Sequence, residues 1–234
     1  MNSYEVSANP RDTVQESNHS TRIPVVLALD TSGSMGANGG YLALNEGVSS
    51  FFETCKSDSV NRLGFDVCII TFGGSGVETR QDFRTIWDQD DVPVFERPGN
   101  GPYGTPLGQA VDTAIRALEA RVEEYEHNRQ GHISHTRAFL LIITDGQSTE
   151  VMPEVFKTRD EFERSRRAYE ASAERARQMQ RDHKLEVVCV GVGKQDHARL
   201  SDFNIGRREV LLTTDFSEFG NPFISLSWSI PSPI

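Results

Sequence analysis

Four nearly unbroken apolar runs mark the chain: IPVVLAL at 23–29, FDVCIITF at 65–72, RAFLLIIT at 137–144 and VVCVGV at 187–192, with a weaker one, REVLL, at 208–212. They lack the alternation of a half-exposed strand, so each predicts a strand covered on both faces. The segments between them change period. Leu44, Val48, Phe51, Phe52 and Cys55 make one helical stripe, and Leu107, Val111, Ala114 and Leu118 make another. A third helix is expected over about 159–183, with Phe162, Tyr169, Ala173 and Ala176 on one side, and Thr158 and Glu161 spaced as a capping box at its start. All three stripes read as core faces. Apolar strands alternating with helices predict an α/β fold, a doubly wound, mostly parallel central sheet with helices on both faces. Residues 77–86, VETRQDFRTI, break the pattern by alternating, and they follow Gly73-Gly74-Ser75-Gly76, which predicts a hairpin and one antiparallel edge strand. A long loop is expected over 88–104.

Length and composition narrow this picture. The 234 residues suit one large domain, taken as 22–227, with a polar N-terminal tail over 1–21 and a short C-terminal tail over 228–234. No apolar stretch approaches the roughly 20 residues of a membrane-spanning helix, and the first 20 residues have neither the apolar core nor the basic start of a secretion signal. A net charge of −10 repels nucleic-acid phosphates and anionic lipid, and favours cations or partners with basic patches. Cys55, Cys68 and Cys189 lie inside apolar segments without metal-ligand spacing, which predicts buried reduced thiols and a cytoplasmic location.

Candidate chemistry gathers where strands end, because ligands of open α/β sheets bind outside the carboxyl ends of the strands. DTSGS at 30–34 follows the first strand and TDG at 144–146 closes the central one. In NGPYGTPLG, Pro106 suits the first position of a helix, which places Thr105 in its N-cap region. Each fragment alone is an ordinary turn or helix start. Together, three separate segments deliver Asp30, Ser32, Ser34, Thr105 and Asp145, all oxygen donors, to one edge of the sheet. Hard divalent cations take such ligands, and two carboxylates formally balance a 2+ charge while hydroxyls add donors without charge.

The pattern D-x-S-x-S, then Thr, then Asp resembles that of a von Willebrand factor type A (VWA) domain carrying a metal ion-dependent adhesion site, or MIDAS. The likeness spans about residues 22–215 and is most similar to the bacterial cytoplasmic branch of tellurium-resistance (TerY-like) type, for which GTPLG and TDG are typical. Tyr103, where a glycine is frequent, and the long charged helix at 158–183 depart from the common pattern. The resemblance implies a Rossmann-like VWA fold and a site for Mg²⁺ or Mn²⁺, with Ca²⁺ a further candidate, at Asp30, Ser32, Ser34, Thr105 and Asp145. Ser32, Ser34 and Thr105 would touch the metal directly, and Asp30 and Asp145 would act through water. It further implies a protein partner supplying a Glu or Asp carboxylate, and a regulatory or scaffold role in a stress-response or defence system with protein kinases and phosphatases. Movement of a last helix at about 215–227 is the family's way of transmitting occupancy. Nucleic acid, membrane and catalysis are not expected.

The rival expectation is a Mg²⁺-dependent phosphatase of haloacid dehalogenase type using Asp30 as nucleophile. Such enzymes need a second Asp two residues later, and position 32 is Ser. GANGG at 36–40 lacks the Gly-Lys-Ser/Thr of a phosphate loop. His127, His132 and His135 read as a solvated loop at the far end of the sheet rather than a zinc site, as do Asp88, Asp90 and Asp91 rather than a second cation site. Arg164, Arg166, Arg167, Arg175, Arg177 and Arg181 are interleaved with glutamates as a soluble face, and a docking role for them would select an acidic partner.

Overall fold

The computed structural model describes residues 21–37, 40–56, 64–86, 89, 91–96, 104–128, 133–145, 148–192, 198–205 and 211–213. Among the described residues six strands form one sheet: β1 (Arg22–Asp30), β2 (Gly64–Gly73), β3 (Gly76–Thr85), β4 (Ala138–Thr144), β5 (Leu185–Val192) and β6 (Leu211–Thr213). Their order is β3-β2-β1-β4-β5-β6. β3 pairs antiparallel with β2 through the expected hairpin, and every other pairing is parallel. Among the described residues four α-helices accompany the sheet: α1 (Gly33–Ala37), α2 (Gly40–Lys56), α3 (Leu107–Glu126) and α4 (Arg159–Arg181).

The pleat of β1 sorts its side chains between two cores. Ile23, Val25, Leu27 and Leu29 pack with Leu44, Val48, Phe51 and Phe52 of α2 on one face. Val26 and Ala28 meet Leu107, Val111, Ala114 and Leu118 of α3, with Tyr169, Ala173 and Ala176 of α4, on the other. Burial on both faces is why the parallel strands read as continuous apolar runs. β3 covers an edge and keeps the exposure that its alternating sequence implies. The Thr158–Glu161 capping box is present. Phe162 departs from its expected stripe: it is half-buried and rests on Phe156 rather than on the sheet.

The end of the sheet opposite the strands' carboxyl termini holds a buried ionic group. Asp66, near the start of β2, is fully buried. Its carboxylate accepts hydrogen bonds from Arg121 Nη2 at 2.6 Å, Arg121 Nε at 3.2 Å, the Tyr125 hydroxyl at 2.5 Å and the Thr85 hydroxyl at 2.8 Å. Arg22 Nη1 lies at 3.4 Å. Burial and the adjacent Asp66 carboxylate push the Tyr125 phenol above its ordinary range.

His135 bridges to Arg22, the first residue of β1, which fixes it at this same end. His127 binds the Glu123 carbonyl in the final turn of α3. His132, Asp88, Asp90, Tyr103, residues 1–20 of the N-terminal tail, the C-terminal tail and the 215–227 segment lie outside the described residues. Asp91 is exposed. All three cysteines are buried free thiols, and burial pushes those of Cys68 and Cys189 up to about 12. Among the described residues no helix is long and apolar enough to cross a membrane.

Candidate metal site

Asp30 closes β1 with its carboxylate fully buried. One oxygen accepts the backbone N–H of Ser32 at 2.7 Å, and the other accepts the Thr144 hydroxyl from neighbouring β4 at 2.5 Å. Leaving β1, the chain stays against β2, where Thr31 N–H donates to the Phe72 carbonyl at 2.8 Å. Gly73 makes that approach feasible, since a Cβ there would meet the Thr31 carbonyl carbon at 2.8 Å and the Ser32 nitrogen at 2.9 Å. α1 then begins within DTSGS. Its first turn brings the two hydroxyls together, Ser32 Oγ to Ser34 Oγ at 2.9 Å, and the Ser34 hydroxyl donates to Asp145 Oδ1 at 2.9 Å. Asp145 itself follows β4 directly and is buried.

Four of the five residues singled out in the sequence thus form one hydrogen-bonded group. Burial pushes the Asp30 carboxyl up from 3.8 to about 6; hydrogen bonds from Thr144 and Ser32 oppose this, and the charge of Asp145 adds to it. Two buried carboxylates brought together around hydroxyls favour a cation between them.

Thr105 is not part of this hydrogen-bonded group, and its backbone is held by the segment that follows Asp145. Its N–H donates to Thr149 Oγ1 at 3.0 Å, and its carbonyl accepts from Thr149 N–H at 3.2 Å and from the buried Ser148 hydroxyl at 3.3 Å. The segment following Asp145 therefore grips the segment carrying Thr105. The expected N-cap placement needs correction. α3 begins at Leu107 with Pro106 in the cap position, and no side chain of that cap residue bonds the helix end. A distant carboxylate serves instead: Glu150 accepts from Gly108 N–H at 2.5 Å and Gln109 N–H at 3.1 Å, and also from the Ser148 hydroxyl at 3.0 Å. Exposed helix-start amides need acceptors, and a carboxylate also suits the positive end of the helix dipole. Burial raises the Glu150 carboxyl above its ordinary range, against the opposing pull of the Gly108 amide, the Ser148 hydroxyl and the Gln109 amide.

Sequence reading missed Gly73, Thr144, Ser148, Thr149 and Glu150. A polar STE directly after the TDGQ turn was the available signal, but its partners lie about 40 residues away in sequence. Among the described residues no group of three or more His, Cys, Asp or Glu side chains is arranged to hold a metal. The candidate donors are of the other kind, carboxylates mixed with hydroxyls.

The profile of the von Willebrand factor type A domain matches residues 25–223. The chain belongs to this family. No curated protein matches the sequence. Among solved structures, this VWA chain is similar to the proximal thread matrix protein 1 of mussel byssus with a zinc-occupied MIDAS motif, at TM-score 0.51 and 14% identity. That alignment covers 90% of this chain and 46% of the byssus protein, so the chain spans less than half of that structure's length. It is also similar to the pilus adhesin SpaC of Lactobacillus rhamnosus GG in its open conformation, at TM-score 0.56 and 14% identity over 89% of this chain and 30% of that one. A third similar structure is the manganese-loaded TRAP protein of Plasmodium vivax, at TM-score 0.50 and 17% identity, covering 88% and 74%. At identities this low the structural likeness shows a shared fold alone.

Proposed function

We propose that this VWA domain is a non-enzymatic binding module that holds a divalent cation, Mg²⁺ or Mn²⁺, and offers it to a Glu or Asp carboxylate of a partner protein. Asp30, Ser32, Ser34, Asp145 and Thr105 would hold the ion, with Ca²⁺ a further candidate. The supporting observation is the hydrogen-bonded group linking Asp30, Ser32, Ser34 and Asp145 at the ends of two adjacent strands. Its chemistry fits a hard cation, since two carboxylates supply the charge and hydroxyls supply neutral oxygen donors. When bound, the ion supplies a Lewis-acidic centre for an outside carboxylate. Asp30 is anchored by Ser32 and Thr144, and a Ser stands where a dehalogenase-type phosphatase needs its second Asp, which supports binding rather than turnover. Zinc and manganese in the similar byssus and TRAP structures support a divalent ion here. The finer reading is a cytoplasmic regulatory scaffold of TerY-like type in a bacterial stress-response or defence system, with kinase or phosphatase partners. It rests on GTPLG and TDG.

Titration calorimetry tests the central claim. Wild type is expected to bind Mg²⁺ and Asp30→Ala to show no measurable binding; equal binding by the two would refute it.

The Ser148–Glu150 grip has its own consequence. Outer-shell partners of metal ligands typically change affinity by about 10–100-fold when removed. Glu150→Ala is accordingly expected to bind Mg²⁺ about tenfold more weakly, with circular dichroism unchanged, because Thr105 loses part of its anchorage. Glu150→Gln keeps one acceptor and should recover much of the affinity. Wild-type affinity in the alanine variant would show that the grip does not position Thr105.

A further inference from the structure

The first half of α4 lies outside the core. Tyr169 is the first buried residue of the helix, and ten helical residues precede it. Its level in the molecule is set by Gly108, near the start of α3: a Cβ on Gly108 would approach Tyr169 Cα to 2.9 Å. Further along, Arg175 bonds Asp112 at 2.8 Å and Glu119 at 2.5 Å, so the two helices lie side by side and run in the same direction. α4 therefore starts about nine residues before the level at which α3 starts, an overhang of about 14 Å at about 1.5 Å per residue. Both helices follow the carboxyl ends of strands or the loops beside them. The overhang thus projects past the edge of the sheet where Asp30 and Asp145 lie.

This spur is basic in an acidic protein. Residues 157–168 contain five basic and three acidic side chains, whereas the chain as a whole carries 24 basic and 34 acidic ones. Local acids are largely engaged. Glu161 closes the capping box, and Glu163 pairs with Arg166, which also holds Glu170. Lys157, Arg159, Arg164 and Arg167 are exposed, and among the described residues none of them forms an ion pair. Asp160 is the remaining acid of the segment. The segment has no fully buried residue before Tyr169; Phe162 rests half-buried on Phe156, and the cap and ion pairs along its own surface hold it so that it carries exposed cations at the carboxyl end of the sheet.

We infer that the spur is a docking surface for an acidic segment of the partner protein whose carboxylate the bound cation would take. The inference rests on the proposed metal reading for that carboxylate, while the spur's part in it is electrostatic. Rim charges act mainly on association rate and salt dependence.

The test uses a fluorescein-labelled oligoglutamate peptide, followed by fluorescence anisotropy in Mg²⁺ with the full chain. Wild type is expected to bind it, more weakly as salt is raised, and Arg164→Glu/Arg167→Glu to lose about tenfold or more in affinity. Calorimetric Mg²⁺ binding and circular dichroism should be unchanged in that variant. Arg80→Glu/Arg84→Glu, on exposed positions of the far edge strand β3, changes net charge equally and should leave peptide binding intact. No binding by wild type, no loss in the spur variant, or equal loss in the β3 variant overturns the inference. Spur-dependent binding that is indifferent to Mg²⁺ and to Asp30→Ala supports the spur and defeats the metal reading. Mg²⁺-dependent binding indifferent to the spur substitutions does the reverse.

Discussion

Asp30→Asn is expected to melt at a higher temperature than wild type in the absence of metal, and to gain nothing when Mg²⁺ is added. Both effects come from one buried charge. The folded protein raises this carboxyl from 3.8 to about 6, so at neutral pH it holds an ionised group that its surroundings disfavour. A raised acid binds its proton more tightly in the native state. The resulting destabilisation is absent below the unfolded value of 3.8, grows between there and about 6, and is complete at higher pH. Its ceiling is about 3 kcal/mol, which for a chain of this size corresponds to roughly 6–12 °C in melting temperature. Asparagine keeps an oxygen for the Ser32 amide and removes the charge. Wild type should recover its deficit by binding the ion, since a ligand at 100 times its dissociation constant stabilises by about 2.7 kcal/mol. Differential scanning fluorimetry of both proteins with and without Mg²⁺ measures this. A Mg²⁺-induced rise in the asparagine variant equal to that of wild type would contradict the account.

The second large effect lies at the other end of the sheet. Asp66→Leu leaves the Arg121 guanidinium facing an apolar side chain and strips the Tyr125 and Thr85 hydroxyls of their shared acceptor. Breaking a buried pair by removing one partner typically costs about 3–5 kcal/mol, because the surviving charge stays desolvated. Arg121 is about a quarter exposed, and its guanidinium also holds Glu124, so the lower part of that range is expected. Denaturant unfolding followed by fluorescence measures the loss. Arg121→Met in the Asp66→Leu background should return part of the stability, since replacing both partners removes the stranded charge. A single variant as stable as wild type would mean that the group adds nothing to the fold.

The two carboxylates also show what a linear reading can and cannot see. Asp30 was legible because, although DTSGS alone is an ordinary turn, it ends an apolar strand and joins Ser32, Ser34, Thr105 and Asp145 as oxygen donors at strand ends. Asp66 sits inside FDVCIITF, a run that reads as a strand covered on both faces, and nothing local explains its carboxylate. Only the arrival of Arg121 and Tyr125, from a helix some 55 residues later, explains it. Glu150 is a similar case, an unremarked acid in a polar turn that turns out to hold the start of α3. The assignment of Thr105 to a helix cap failed for the same reason: local chemistry allowed a threonine cap, and a carboxylate from elsewhere took the amides.

Sequence alone determined the alternation of strands and helices, the one antiparallel edge, the capping box of α4 and the five candidate oxygen donors. These follow from periodicity, glycine placement and side-chain chemistry, which are properties of neighbouring residues. Tertiary structure decided that Asp30, Ser32, Ser34 and Asp145 share hydrogen bonds, that residues 148–150 tether the segment of Thr105, that Asp66 is paired from a distance, and that the first part of α4 extends beyond the start of α3. Those features depend on which remote groups meet, and burial and Coulomb attraction act between neighbours in space, whatever their separation along the chain.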